Sequence, residues 1–460
     1  MRDQWGRDGT ESPLVDGRGD ALTRSRAASR SGTASGSKPA SKAGSWPPDG
    51  ATVTRRWLGT HESQRPGPTM IVVGGIHGNE PSGVIALRRV LHELAHRRIP
   101  MRGRLLGLAG NIRALGQNAR YLTRDLNRQW FPDRLTKLRD QPRSEDSSED
   151  LEQRELLEIF ERLDESFDHP LVVIDLHSFS AEGPPFSVVA DTLRNRPIAY
   201  ELRVPIIFGL EEAVGGTLLG YLADLGHVAV AFEAGQHQDP RTVENHVAAI
   251  WIAMIQSGMI ERKDLPEIER CELRLEQAAA RLPRAVEIVY RHPITPEDQF
   301  RMDPGFVNFQ PVRRGQRLAT DRNREICSPS AARILMPLYQ GLGEDGFFVA
   351  RDLGNAQLQL SAALRKFKVD GLLSYLPGVE IDQRAGDEIV VGGIGNRPVV
   401  KSVLRMLGYR KDVSVDAAGG AIRVARRRQL ESTRRGRGGS GGVPDDVDAD
   451  AEPHPRTAEE

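Results

Sequence analysis

The chain has 460 residues with 63 basic and 63 acidic side chains, so its formal net charge is zero. This length exceeds one average domain of ~100–200 residues, and the balanced charge argues against nucleic acid or an anionic membrane as a partner. Only two cysteines occur, Cys271 and Cys327, which excludes a disulfide framework and a four-cysteine zinc site. Any metal site must therefore use histidine and carboxylate ligands.

Both ends of the chain have the composition of disordered segments. Residues 1–50 are rich in Ser, Gly, Arg and Ala, and residues 429–460 combine a basic glycine-rich run with an acidic block. Such segments bury too little apolar surface to offset the loss of chain entropy, so we predict that both are disordered. The start of the chain lacks the apolar core of a secretory signal, and no apolar run approaches the ~18 residues that a membrane span needs. We expect a cytoplasmic protein.

Between the tails, apolar runs alternate with helical patterns. A buried strand at residues 70–75 precedes a helix that begins near Pro81, where apolar residues recur at spacings of three and four. The following patterns predict a helix at 151–167, strands at 171–174, 204–208 and 228–232, and a helix at 245–255. This alternation is typical of an α/β fold with a mainly parallel or mixed sheet flanked by helices.

The pattern changes after residue 283, where short strands are separated by Gly and Pro turns. The predicted strands lie at 286–290, 316–319, 334–338 and 346–350, followed by a helix at 399–407 and a strand near 422–424. We therefore predict an α/β domain at residues 51–282 and a β-rich domain at residues 283–428.

Several polar side chains follow predicted strands, at the sheet edge where α/β proteins bind ligands. His77 and Glu80 are three residues apart at a strand-to-helix turn, and His177 follows a second strand. Two imidazoles and a carboxylate would hold zinc and leave open the position that a catalytic zinc needs. Asp175, on the same strand face as His177, could orient a ligand. Taken singly, Glu80 could be a favourable residue at a helix N-terminus, and His177 a hydrogen-bonded histidine at a strand end.

A glutamate and a polar loop complete the candidate site. Glu233 follows the apolar run 228–232, where a carboxylate at the rim of the core needs a partner or a chemical task. It could be the general base for a zinc-bound water, or it could pair with an arginine. Residues 120–130 carry three arginines at a spacing of four, which could line a solvated helix, although Asp125 and Asn127 disfavour a helix interior. Guanidinium and amide groups suit a substrate carboxylate and the oxyanion of acyl transfer.

In combination, these motifs resemble the succinylglutamate desuccinylase/aspartoacylase family, relatives of the zinc carboxypeptidases. The resemblance runs from about Met70 to Gly235 and is carried by Gly-Gly-Ile-His-Gly-Asn-Glu, Arg-Asp-Leu-Asn-Arg, Asp-Leu-His-Ser and Phe-Glu-Ala-Gly. A further likeness lies at residues 307–312 and 336–340. The resemblance implies a zinc-carboxypeptidase-like fold, with residues 51–282 as a zinc hydrolase domain.

The resemblance also implies a metal and its ligands. One zinc ion per chain would be held by His77, Glu80 and His177, and Asp125 would be hydrogen-bonded to His77. Glu233 would activate water and then deliver a proton to the leaving amine.

Three residues of the arginine-containing loop take substrate roles by the same resemblance. Arg120 would polarise the scissile carbonyl, while Asn127 and Arg128 would hold the free carboxylate of the amino-acid portion. Without the resemblance, the sequence does not distinguish Arg120 from Arg124.

Two features differ from the aspartoacylases. Those enzymes carry, shortly before the base glutamate, an arginine that binds the second carboxylate of the substrate. Between Val214 and Phe232 this chain has no Arg or Lys, and Phe347 aligns with a tyrosine of that family. Both differences favour a substrate that is less acidic than N-acetylaspartate or succinylglutamate.

The expected function is a zinc-dependent deacylase that cleaves the amide bond of an N-acyl amino acid or a similar small, carboxylate-bearing amide. This is a carbon–nitrogen bond other than a peptide bond. A metallocarboxypeptidase acting on short peptides would share the same metal ligands. A non-catalytic zinc-binding protein would need a fourth ligand, such as His237 or Cys327, and would have no use for Glu233 and Arg120.

Overall fold

The computed structural model describes residues 53–167, 169–322, 324–366, 379–381, 388–391, 404, 407–416 and 422–426. The tails predicted at 1–50 and 429–460, and most of the helix predicted at 399–407, lie outside these residues. The described part contains one large mixed sheet with helices on both faces and two small antiparallel sheets. The predicted α/β class with a β-rich C-terminal region is therefore confirmed.

Parallel strands form the centre of the large sheet. Its strands are β1 (Trp57–Glu62), β2 (Thr69–Gly74), β3 (Arg104–Ala109), β4 (Val172–Phe179), β5 (Phe186–Val189), β6 (Ile206–Phe208), β7 (Val228–Gln236), β8 (Ala285–Pro293), β10 (Pro311–Val312), β13 (Ala332–Leu335) and β14 (Asp345–Asp352). The small sheets contain β9 (Arg301–Met302), β11 (Arg317–Asp321) and β12 (Arg324–Cys327), and β15 (Val379–Ile381), β16 (Glu388–Val391), β17 (Tyr409–Asp416) and β18 (Ile422–Arg426). The spatial order in the large sheet is β1-β3-β2-β4-β7-β5-β6-β8-β14-β13-β10. Strands β3, β2, β4 and β7 run parallel, and β5 returns antiparallel.

Helices cover both faces of this sheet, which explains why β2 and the first three residues of β4 are almost entirely apolar on both sides. The helices are α1 (Ser82–Arg97), α2 (Ile112–Gln117), α3 (Pro132–Asp140), α4 (Ser148–Ser166), α5 (Arg196–Glu201), α6 (Leu210–Val214), α7 (Leu218–Asp224), α8 (Pro240–Gln256), α9 (Ile268–Ala278) and α10 (Asn355–Lys366). Leu87 of α1 and Trp251 of α8 pack on one face, while Phe160 of α4 and Leu222 of α7 pack on the other. Within the described ranges, each helix is too short or too polar to cross a bilayer.

The carboxyl ends of the central strands lie side by side, because parallel strands end at the same edge. Gly74 of β2 is in register with Leu176 of β4, and His177 of β4 is in register with Glu233 of β7. The chain then turns sharply at Gly75, whose φ of +75° favours glycine. This edge is where the predicted site residues lie.

The large sheet continues past residue 283. Strand β8 pairs in parallel with β6 and antiparallel with β14, so it joins the α/β part of the sheet to the later strands. The division into domains at residues 51–282 and 283–428 stays a prediction. The segment 120–130 is a loop with one 3₁₀ turn, Leu126–Arg128, and not a solvated helix.

Candidate metal centre and active site

Two imidazoles and one carboxylate meet at the carboxyl edge of the sheet. His77 and Glu80 lie in the turn between β2 and α1, and His177 lies near the end of β4. Glu80 Oε1 is 2.9 Å from His77 Nδ1, and Glu80 Oε2 is 3.1 Å from His177 Nδ1. All three side chains are buried, and one potential ligand atom from each lies within 4.8 Å of the others. The structure thus brings together the three residues that the sequence suggested as metal ligands.

The turn that carries His77 and Glu80 is packed too tightly for larger residues. A Cβ atom on Gly78 would lie 2.1 Å from the carbonyl carbon of Ala114. The amide of Gly78 also donates to the carbonyl oxygen of Arg120, at 3.1 Å. The glycine therefore lets this turn lie directly against the loop that carries the site arginines.

Each histidine is held from its outer side by an aspartate. His77 Nε2 is 3.1 Å from Asp125 Oδ1, and His177 Nε2 is 2.9 Å from Asp175 Oδ2. These carboxylates accept the Nε2 protons, which leaves the Nδ1 atom of each ring turned toward Glu80. Carboxylate–histidine pairs of this kind fix the ring orientation and the tautomer of metal-binding histidines.

The charges of this cluster fit a divalent cation. Burial alone would raise the pKa of Glu80, but His77 and His177 outweigh it and hold that pKa well below its usual range. Burial would lower the pKa of His177, yet Asp175 and Glu80 hold it well above its usual range. Positive charge is therefore favoured between these groups, and a nitrogen, nitrogen and carboxylate set is one that zinc accepts.

Glu233 is a buried carboxylate beside this cluster. Its Oε2 atom has no hydrogen-bond partner among the described residues. Burial, with a further contribution from Glu80, raises its pKa to about 8, although His177 and Arg120 act in the opposite direction. A cation at the neighbouring ligands would lower this pKa. A carboxyl group that exchanges a proton near neutral pH suits general acid–base chemistry.

Arg120 faces the cluster, whereas Arg124 does not. The guanidinium of Arg120 donates to Asp125 Oδ2 from Nε at 3.1 Å and from Nη2 at 2.9 Å. Its Nη1 atom lies 3.6 Å from Glu80 Oε1. Arg124 has a side chain that is 41% exposed and lies 3.8 Å from Asp150. The structure therefore distinguishes the two arginines that the sequence could not separate.

Asn127 and Arg128 lie in the 3₁₀ turn and line the same cavity. Asn127 Oδ1 accepts from the amide of Leu218 at 2.8 Å, so the orientation of its side chain is fixed. Arg128 Nη2 donates to Asp345 Oδ2 at 2.9 Å. This acidic partner was not predicted, and it neutralises part of the charge that Arg128 offers to a ligand.

The cavity has an apolar wall beside Glu233. Its lining includes side chains of β5, α6, α7 and β14, namely Val188, Leu210, Val214, Leu219 and Phe348. Phe347, which the sequence alignment placed opposite a family tyrosine, instead packs in the C-terminal β region against His292 with ring centroids 5.0 Å apart. Phe348 is the residue of that pair that lines the cavity.

Glu149 organises the loop before Asp125, a role that no local sequence pattern indicates. Its carboxylate accepts from the amides of Leu122 at 2.7 Å and Thr123 at 2.9 Å, and from the Thr123 hydroxyl. It also accepts from Asn111 Nδ2 at 3.1 Å. Burial raises the pKa of Glu149, but these hydrogen bonds outweigh it and lower that pKa. A fixed carboxylate therefore holds the segment between Arg120 and Asp125.

Replacing Glu149 by glutamine is expected to lower kcat/KM roughly 10- to 100-fold while metal content stays near that of the wild type, because the loop shifts but the ligands remain. The amide has only one acceptor oxygen for these donors. Steady-state kinetics, metal analysis and thermal unfolding measure this effect. The control is Glu152→Gln, in the same helix, where the buried carboxylate binds Arg56 and Arg113. An equal kinetic loss in the control at equal destabilisation would show that Glu149 acts only through stability.

Comparison with known proteins gives one consistent result. Residues 66–258 match the model of the succinylglutamate desuccinylase/aspartoacylase catalytic domain. Succinylglutamate desuccinylase of Pseudomonas putida is 39% identical over 88 residues, which is 18% of this chain and 26% of that protein. The same enzyme of Burkholderia thailandensis is 35% identical over 83 residues, 16% of this chain and 24% of that protein. The chain thus matches about a quarter of the length of these curated relatives.

The solved structures that resemble this chain are more distant in sequence than these relatives. A succinylglutamate desuccinylase/aspartoacylase from Rhodobacter sphaeroides is 18% identical, with 64% of this chain and 88% of that chain covered and a TM-score of 0.48. Murine aminoacylase 3 is 17% identical, with 63% and 97% covered and a TM-score of 0.44. The predicted resemblance is confirmed by the family match: residues 66–258 of this chain are similar to the catalytic domain of the succinylglutamate desuccinylase/aspartoacylase family.

Proposed function

We propose that the protein is a zinc-dependent hydrolase that cleaves the amide bond of an N-acyl amino acid or a similar small amide. The observation that carries this proposal is the position of Glu233 beside the His77, Glu80 and His177 cluster, as a buried carboxylate whose Oε2 atom has no hydrogen-bond partner among the described residues. A purely structural metal site would need no such group. The presence of Arg120 at the same cluster adds a donor for developing negative charge.

In the proposed reaction, zinc held by His77, Glu80 and His177 would supply Lewis acidity that acidifies water and polarises a carbonyl. Glu233 takes a proton from the attacking water and returns it to the nitrogen of the leaving amine. Arg120 donates to the carbonyl oxygen as negative charge develops on it. The proton count balances, since water supplies one hydroxyl to the acyl carbon and one proton to the amine.

The proposed substrate carries one carboxylate and an apolar group. Asn127 and Arg128 would hold the carboxylate, as the arrangement of the 3₁₀ turn allows. Arg128 is already paired with Asp345, and the chain has no Arg or Lys between Val214 and Phe232. A second substrate carboxylate would therefore lack a cationic partner from the segment between Val214 and Phe232. The apolar wall of the cavity suits an aliphatic or aromatic substituent of the substrate.

Amine release from a panel of N-acyl amino acids, alongside dipeptides and with metal analysis of the purified protein, tests this proposal. We expect turnover of N-acyl amino acids with apolar groups and about one zinc per chain. Turnover of dipeptides alone would instead favour a metallocarboxypeptidase. No turnover together with a fourth protein ligand on the metal would favour a non-catalytic zinc protein.

Replacing Arg120 by alanine is expected to lower kcat about 10²- to 10³-fold, as loss of an oxyanion donor commonly does. Because Arg120 also pairs with Asp125, folding is checked by circular dichroism and metal content is measured in parallel. The control is Arg124→Ala, which removes a half-exposed arginine from the same loop. If Arg120→Ala retains most of the activity, Arg120 does not stabilise the reacting carbonyl.

A further inference from the structure

A chain of hydrogen bonds joins the C-terminal β region to the metal cluster. Gln340, in the loop between β13 and β14, has its Oε1 atom 2.9 Å from Asn79 Nδ2 and 3.1 Å from His237 Nε2. His237 Nδ1 lies 2.8 Å from Ser178 Oγ. Ser178 is adjacent to His177, and its amide donates to Glu80 Oε2 at 3.0 Å. The hydrogen-bond chain therefore ends at the hydroxyl of Ser178, beside the proposed metal ligands His177 and Glu80.

The atoms in this chain of hydrogen bonds determine which group donates and which group accepts at each step. Gln340 Oε1 has no hydrogen, so it accepts from Asn79 and from His237 Nε2. A neutral imidazole with its proton on Nε2 has an acceptor at Nδ1, which takes the hydroxyl proton of Ser178. Burial lowers the pKa of His237, which favours this neutral form. Ser178 Oγ has thereby used its only donor, and its lone pairs remain available to the cavity that it lines.

The core of an N-acyl amino acid needs one such acceptor. Its carbonyl and carboxylate oxygens accept hydrogen bonds, and the site offers Arg120, Asn127 and Arg128 as donors. Its amide N–H is a donor, and an N–H group that is buried without an acceptor weakens binding. Glu233 has to exchange protons with water and the leaving amine. Asn127 Oδ1 already accepts from the amide of Leu218, so none of these four side chains offers a neutral acceptor to that N–H group.

We propose that Ser178 Oγ accepts a hydrogen bond from the N–H of the scissile amide, and that His237 is a positioning residue that fixes the direction of the Ser178 hydroxyl. This inference rests on the proposed function. It assigns to the loop that carries Gln340 a part in orienting the substrate nitrogen. The contact also gives the site a means to prefer an amide over the corresponding ester.

The test compares an N-acyl amino acid with the ester that has the same acyl group and side chain but an oxygen in place of the N–H. Ser178→Ala is expected to lower kcat/KM for the amide roughly 10- to 100-fold and for the ester less than about threefold, because only the amide loses a hydrogen bond. His237→Ala is expected to shift the amide-to-ester ratio in the same direction. His237→Asn, which returns an acceptor oxygen near the position of Nδ1, is expected to restore much of that ratio.

Ser180→Ala is the matched control, since Ser180 also lines the cavity but accepts from the amide of Tyr339 and is not part of the chain. It should change amide and ester turnover to the same extent. Equal losses for both substrates in Ser178→Ala, or no loss, would overturn the inference while amide turnover by the wild type still supports the proposed function. If Ser178→Ala does not fold, the two His237 variants decide the question. A wild-type protein that cleaves neither substrate would refute the proposed function, and this inference with it.

Discussion

Replacing Glu233 by glutamine is expected to lower kcat/KM by about 10³-fold or more, since in the proposed reaction the same carboxylate serves as base and then as acid, and each role commonly contributes ~10²–10⁴. The glutamine side chain has nearly the same shape as the Glu233 carboxylate, but it cannot take a proton from water or deliver one to the leaving nitrogen. Metal content should remain that of the wild type, because Glu233 is not one of the three proposed ligands. Kinetics on the substrate found in the panel, with metal analysis, measure both expectations.

The same substitution should not destabilise the fold. A buried carboxylate with an unpartnered oxygen and a pKa raised to about 8 is unfavourable when it is charged, and a neutral amide removes that charge. We therefore expect the Tm of Glu233→Gln to equal or exceed that of the wild type. Glu325→Gln, at a residue whose side chain is 64% exposed, is the control and should change neither activity nor Tm. Activity above about a tenth of wild type would exclude Glu233 as the base.

The three clustered residues, His77, Glu80 and His177, could be proposed as metal ligands from the sequence because the sheet is parallel at its centre. Apolar runs marked β2, β4 and β7, and parallel strands end at one edge, so residues that follow those runs must lie close together. Asp175 could also be placed, since side chains two residues apart share a face of a strand. The fold class followed from the same alternation of strands and helices.

The loop at residues 120–130 could not be predicted in this way. Its conformation depends on distant hydrogen bonds to Glu149 and to the turn that carries Gly78, and neither contact leaves a local pattern. A spacing of four between Arg120 and Arg124 is compatible with a helix, yet the two side chains point to different surroundings. Tertiary contacts, not the local propensity of the segment, decide which arginine reaches the cluster.

Some strands were also missed, for physical reasons that differ from one to the next. Strand β3, Arg104–Ala109, contains three leucines and one glycine but no β-branched residue, and β5, Phe186–Val189, is very short. In β14, the ladder with β8 is irregular between Asp345 and Phe347. Side chains of adjacent residues point to opposite faces of a strand, so Phe348 lines the cavity while Phe347 packs in the C-terminal β region.

Replacing His177 by alanine is expected to abolish both metal binding and activity, whereas Asp175→Asn should weaken metal binding about 10- to 100-fold. His177 supplies one of three proposed ligand atoms, so its loss leaves too few donors for a stable zinc site. Asp175 only holds His177 Nε2, at 2.9 Å, and asparagine can hold the ring in a less favourable tautomer. Metal titration of chelator-treated protein, with activity measured at each zinc concentration, separates the two variants.

The difference between the two variants distinguishes His177, a proposed ligand, from Asp175, which orients it. Excess zinc should restore much of the activity of Asp175→Asn but none of that of His177→Ala. The control is His96→Ala at an exposed position of α1, which should bind zinc as the wild type does. Full metal content in His177→Ala would show that the ion lies elsewhere, and the proposed hydrolase mechanism would then lose its basis. Equal, irreversible metal loss in both variants would mean that Asp175 maintains the fold of the strand end and does not tune the ligand.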